Sequence, residues 1–258
     1  MWMISNNYLF LGIIFLIFSC GQVPHSKRLL AEEETSMKAE QVVSLSIETH
    51  GGQRTWENLE SISYNKSITL FDSLGVIESK ATQHHYYQLK PELRGTISWL
   101  ANGDSLKIEY ADQNAIKYVN GIAETTPESL KSAKNSFLSS FYVLFQPFKL
   151  MDEGTHLEYM GEDILGDSSK VNVIQPTYAR GAEGSDRWWY YFDKNTNRLL
   201  ANMVNHSPTY SYIVNLAYDE TTGILFNAHR KSYFVDSLRT VRYLRAEYFY
   251  DDYIINSN

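Results

Sequence analysis

From residue 61 onward the chain alternates apolar and polar positions with a period of two. Ile62, Tyr64, Ile68 and Leu70 alternate with Ser63, Asn65, Ser67 and Thr69, and only Lys66 stands out of pattern. That alternation predicts a half-buried strand with one wet face. Further strands are predicted over residues 76–90, 95–100, 106–111 and 115–119. Asn102-Gly103 and Asn120-Gly121 supply hairpin turns between them, because both residues of such a pair tolerate left-handed backbone. After an interruption the pattern resumes over 155–160 and 170–175. It then reaches its most aromatic stretch, Trp188-Trp189-Tyr190-Tyr191-Phe192, whose rings suit a pleated, half-buried surface. Asp193 to Asn197 reads as a turn and residues 199–204 as the returning strand. Tyr210, Tyr212, Val214, Leu216 and Tyr218 are expected to share one face of the next strand. Residues 224–235 and 238–252 follow, the last with Leu244, Ala246, Tyr248 and Tyr250 on one face and Arg245 and Glu247 on the other. About ten strands joined by turns make an antiparallel meander and fit no parallel βαβ arrangement.

Two segments carry helical spacing instead. Ala39, Val42, Val43, Ser46, Ile47 and His50 recur at intervals of three and four before Gly51-Gly52, a left-handed stop. His50 then falls in the last turn, where the helix dipole favours a cation. Trp56, on a second short turn, is expected to pack under the sheet. Thr126-Pro127-Glu128 opens the other helix with a capping hydroxyl, a proline at the first helical position and an acid in the first turn. Leu130, Ala133, Phe137, Leu138, Phe141, Leu144, Phe145 and Phe148 give this helix a Phe-rich face up to Pro147, which ends or kinks it. Such a face must be buried. It either packs as plain core or caps a cavity inside a curved sheet.

Composition changes the picture in three ways. With 43% hydrophobic and 21% charged residues among 258, the chain is globular rather than disordered. A net charge of −7 gives no attraction to phosphate backbones, so nucleic acid is not expected as a partner. A single cysteine, Cys20, rules out an intramolecular disulfide or a multi-cysteine centre. The uncharged run from Tyr8 to Phe18 has the length of a signal-peptide core and is too short to span a bilayer. Ser19-Cys20-Gly21 follows it and looks like a bacterial lipobox, although residues 1–7 hold no Lys or Arg and Phe18 is bulky. The expected organisation is a lipoprotein signal over residues 1–19, a flexible tether over 20–36 from a lipidated Cys20, and one β domain over 37–258. An ordinary secretory signal or an uncleaved anchor with a free Cys20 is the alternative. Lipidation would make the chain anchored to a membrane rather than spanning it.

Catalytic chemistry finds little support. The histidines form neither HExxH nor HxxxH, and His84-His85 in a strand must point to opposite faces. Asp193 to Asn197 imitates the opening of a calcium loop, but Arg198 stands where glycine is needed and Val204 where a bidentate glutamate is needed. There is no GxSxG elbow, phosphate-cradling loop or dinucleotide fingerprint. Glu162-Asp163 and Asp251-Asp252 read as solvated acids. No catalytic residue, metal site or cofactor is expected.

Three stretches together carry a resemblance: His50-Gly51-Gly52 with Trp56 and Ile62, the segment GEDILGDSSKVNV over 161–173, and Trp189-Tyr190-Tyr191-Phe192-Asp193 with Asn197 and Leu199-Leu200. They are similar to Gram-negative envelope lipoproteins of the DUF6503 group and, more distantly, to the LolA/LolB carriers and receptors of outer-membrane lipoprotein sorting. The resemblance covers residues 37–258. It implies an unclosed antiparallel β-barrel wrapped on helices, mainly β, with an apolar cavity for acyl chains, in an outer-membrane lipoprotein facing the periplasm. By strand parity and helical face, Trp99, Phe137, Phe141, Trp188, Tyr190 and Phe192 are the candidate ligand-binding residues. Binding of a lipid or acyl chain is the leading expectation. The rivals are an adaptor that docks another envelope protein through an aromatic patch or sheet edge, and a hydrolase of envelope lipids or glycans.

Overall fold

A computed structural model describes residues 25–178, 186–206 and 208–257. The signal segment and Cys20 lie outside them. The first helix, α1 (His25–Thr49), presents Ala39, Val43, Ser46 and Ile47 as its buried side, and His50, just past its end, is buried too. It begins at His25 rather than at Met37, so helix covers most of the segment read as a tether. Residues 25–36 offer no apolar period but are rich in Lys, Arg, Leu, Ala and Glu, whose intrinsic propensity favours helix without a buried face. At its end Gly51 (φ 117°) and Gly52 (φ 85°) turn the chain. A Cβ on Gly51 would lie 2.5 Å from the Gly223 carbonyl oxygen, so only glycine fits there.

A six-residue helix, α2 (Gln53–Asn58), leads into thirteen strands. These are β1 (Leu59–Phe71), β2 (Ile77–Gln88), β3 (Arg94–Ala101), β4 (Asp104–Ala111), β5 (Asn114–Val119), β6 (Ile122–Glu124), β7 (Thr155–Ile164), β8 (Lys170–Tyr178), β9 (Arg187–Asp193), β10 (Leu199–Asn205), β11 (Tyr210–Asp219), β12 (Phe226–Val235) and β13 (Val241–Ser257). The sheet order is β6-β5-β4-β3-β2-β1-β13-β12-β11-β10-β9-β8-β7, so among the described residues β6 and β7 are the edge strands and the barrel does not close. All registered pairs are antiparallel. Asn102-Gly103 and Asn120-Gly121 have positive φ as the hairpins require. In the β9–β10 hairpin, Asp193 Oδ1 accepts from the Asn195 and Thr196 amides at 3.0 and 2.6 Å.

The inserted helix, α3 (Pro127–Leu144), is capped by Thr126, whose side chain accepts the Ser129 amide at 3.2 Å. It lies across β4 and β5 and buries Ala133, Phe137 and Leu144. A short 3₁₀ turn, Phe148–Met151, continues its apolar face through Phe148 and Leu150. Trp56 meets Phe145 and Phe148 at ring distances of 4.7 and 5.4 Å. The inner core thus joins α1, α2, α3 and the helix-facing side of the sheet. A second cluster, with Val171, Val173, Tyr191, Ala201 and Met203, occupies the opposite face of β8–β10. Arg239 from the β12–β13 turn lies 5.1 Å from the centre of the Tyr191 ring and pairs with Asp163 at 2.5 Å.

One face assignment changes. Tyr210 and Tyr212 join the outer cluster, whereas Tyr218 meets His50, just past the end of α1, at 5.4 Å. Register shifts between Asn215 and Tyr218 insert a bulge, and an extra residue reverses the alternation beyond it.

Candidate functional site

The inner face is filled at one end and hollow at the other. Phe137 stacks on Tyr110 (4.5 Å, 3°) and meets Tyr87 edge-on at 5.1 Å. Tyr64, His85, Tyr87, Tyr250 and Tyr253 continue this packed aromatic layer. On the far side of α3 the sheet curves away, leaving a cavity of about 830 Å³. Leu138, Ser139, Tyr142 and Val143 of α3 form one wall, and Tyr178, Asp186, Trp188 and His206, at the ends of β8–β10, form the other. Residues 152–155 edge its mouth. An inner recess of about 200 Å³ adjoins it, sharing Ser139, Val143 and Trp188 and reaching Lys66, Asn202, Arg230 and Tyr248 on the sheet.

Several polar groups in and beside the outer cavity pair with one another. Tyr142 and Tyr178 share a hydroxyl–hydroxyl bond of 2.5 Å. Burial raises both phenols above the usual tyrosine range, so they remain neutral. Gln146 Nε2 donates to the Tyr190 hydroxyl at 2.8 Å. Lys149 pairs with Asp152, and His206 Nδ1 meets Asp186 Oδ2 at 2.8 Å.

The candidate residues separate by depth. Phe137, Tyr190 and Phe192 are fully buried core, and Tyr190 forms a floor beneath Trp188, which it stacks on at 6.0 Å. Phe141 is half-buried between Tyr87 and Phe145. Trp99 is half-buried at the margin of the same core. Of the six, Trp188 alone lines the cavity and its recess. Strand parity and helical face placed these side chains toward the interior but could not reveal where it is hollow. Tyr142, Val143, Tyr178 and Arg230 were not anticipated as lining residues. Arg230 does share the parity of the buried Phe226, an inward arginine that strand alternation could have flagged. Lys66 stands out in the sequence itself, as the irregularity in the first strand.

Two buried histidines are structural. His50 is fully buried rather than a cation serving the helix dipole. Its Nδ1–H donates to the Ser46 carbonyl at 2.7 Å, and desolvation lowers its pKa from 6.5 to about 4. His85, stacked on Tyr64 at 4.7 Å, is also held well below the usual histidine range by burial. His84 faces the other way, beside Asn65 at 3.1 Å. Among the described residues no group of three or more His, Cys, Asp and Glu gathers to hold a metal.

No sequence-family profile matches the chain. No curated protein matches it in sequence either. Solved structures do match in fold. A DUF1329 family protein from Desulfovibrio piger superposes with a TM-score of 0.54 at 9% identity, over 84% of this chain and 93% of that one. A LolA superfamily protein from Nitrosomonas europaea gives 0.53 at 10% identity, over 85% and 94%. A domain named for outer-membrane lipoprotein sorting, from Vibrio parahaemolyticus, gives 0.52 at 12% identity, over 86% and 93%. The fold is therefore the LolA-like open half-barrel that the sequence resemblance implies.

Proposed function

We propose that this protein binds an acyl chain or similar apolar ligand in the cavity between α3 and strands β8–β13, and that it does so anchored to the envelope membrane through a lipid on Cys20, facing the periplasm. The observation that carries the reading is the cavity itself. Its volume of about 830 Å³ lies within the roughly 300–1,000 Å³ usual for small-molecule sites. Leu138, Val143 and Trp188 offer it apolar walls, and burial of a chain there would contribute about 25 cal/mol per Å² of apolar surface. The fold it shares with a lipoprotein-sorting domain supports the same reading. So does the chemistry of the walls, where tyrosine hydroxyls are neutral and paired among themselves, which suits binding more than acid–base catalysis.

Ser139 borders both the cavity and its recess while remaining outside the core, so Ser139→Trp should plug the junction without disturbing the fold. Uptake of a fluorescent fatty acid by the full chain is expected to weaken at least about tenfold in this variant, with the thermal midpoint unchanged. Equal uptake would place binding elsewhere. For the anchor, Cys20→Ser is expected to shift the protein from the membrane to the soluble fraction. Retention in the membrane would overturn anchoring through that residue.

A further inference from the structure

Resting on that reading, we propose that the ligand is a single-chain amphiphile with a small anionic head, carboxylate or phosphate, and that the head enters first, to be held in the inner recess by Arg230 and Lys66 with its tail running out past Trp188.

Arg230 sits on β12 with only 4% of its surface exposed. A guanidinium has five N–H donors and is always charged. One of them, on Nη2, reaches Asn202 Oδ1 at 2.9 Å, while Nε has no partner. No described carboxylate forms an ion pair with Arg230. A buried charge without a counter-charge is costly, and the recess it lines is where a counter-charge would have to come from. Lys66 borders the same recess from β1. Its Nζ rests 5.1 Å from the centre of the Tyr248 ring and 5.8 Å from that of Tyr250. The register explains how the two cations converge: Lys66 lies opposite Tyr250 and Arg230 opposite Tyr248, on either side of β13.

The outer cavity has the opposite character. Its Lys149 is neutralised by Asp152 and its Asp186 faces His206, while Glu153 adds a further acid at the mouth. An anionic head is thus disfavoured at the mouth and matched inside. The dimensions agree, since the recess of about 200 Å³ suits a small head and the larger, partly apolar space of about 830 Å³ suits a tail.

The test compares palmitate, hexadecyl phosphate and hexadecanol as competitors of a fluorescent fatty acid on the full chain. At least one anionic amphiphile is expected to bind ten or more times tighter than the alcohol, because charge-assisted bonds to a guanidinium are the strong ones. Lys66→Gln and Arg230→Gln should each remove about tenfold from that affinity and leave hexadecanol unchanged. Should Arg230→Gln fail to fold, Lys66→Gln and the wild-type comparison still decide. Equal binding of all three ligands would overturn the anionic-head site while leaving an acyl cavity standing. No binding of any of them would overturn both.

Discussion

Phe137→Ala is expected to lower the free energy of unfolding by about 3–5 kcal/mol, the range for truncating a buried phenylalanine. Phe137 has no exposed surface and lies parallel to the Tyr110 ring at 4.5 Å. Through Tyr87 it also reaches β2, two strands away from Tyr110 on β4. Neighbouring groups have little freedom to collapse into the void. A Cβ on Gly95 would already lie 3.0 Å from the Phe137 ring, so the strand beneath is pressed against it. The lost burial and the unfilled cavity therefore add. Urea unfolding followed by tryptophan fluorescence measures the change. A loss below about 1 kcal/mol would mean that α3 is not seated on the sheet as described, since loosely packed sites tolerate truncation.

The second large effect is a loss of stability on acidification. His50 is neutral in the folded chain, its pKa lowered from 6.5 to about 4, and His85 is lowered in the same direction. Below about pH 6.5 the unfolded chain takes up protons that the folded chain refuses, so the unfolded state binds more protons and stability is lost as the pH is lowered. The contribution from His50 is complete above about pH 6.5 and is lost progressively toward pH 4, a total on the order of 3 kcal/mol. His50→Asn places an amide near Nδ1, able to donate to the Ser46 carbonyl, and removes the titration. The slope of stability against pH over this window should drop by about one proton in the variant, leaving the part due to His85. An unchanged slope would show that His50 is accessible to solvent and already titrates normally when folded.

Local chemistry made much of this architecture legible. Thr126-Pro127 fixed the start of α3, Gly51-Gly52 the end of α1, and the Asn-Gly pairs two hairpins, because each depends on a backbone conformation that few residues adopt. The aromatic run Trp188 to Phe192 gave β9 and its two faces, Tyr190 and Phe192 inward, Trp189 and Tyr191 outward. What stayed hidden depends on long-range geometry. The three-residue β6 is too short to show a period. The bulge in β11 reverses the face of Tyr218 without any marker in composition. The cavity lies where the sheet is not covered by α3, so the same inward parity of β9 yields filled core at Tyr190 and Phe192 and a wall at Trp188. The two cations of the recess were half visible: Lys66 broke the alternation of its strand, while the buried Arg230 passed as one polar residue among several in its own.

The central claim is that the hollow between α3 and β8–β13 is a ligand site. Native mass spectrometry of the full chain, recovered from the envelope of a Gram-negative host and measured before and after organic extraction, tests it most directly. The expected result is a defined adduct of acyl-lipid mass that disappears on extraction and is missing from Ser139→Trp. A single apo mass in both proteins, with no uptake on adding palmitate, would contradict the claim and leave the protein-binding adaptor as the better account of this fold.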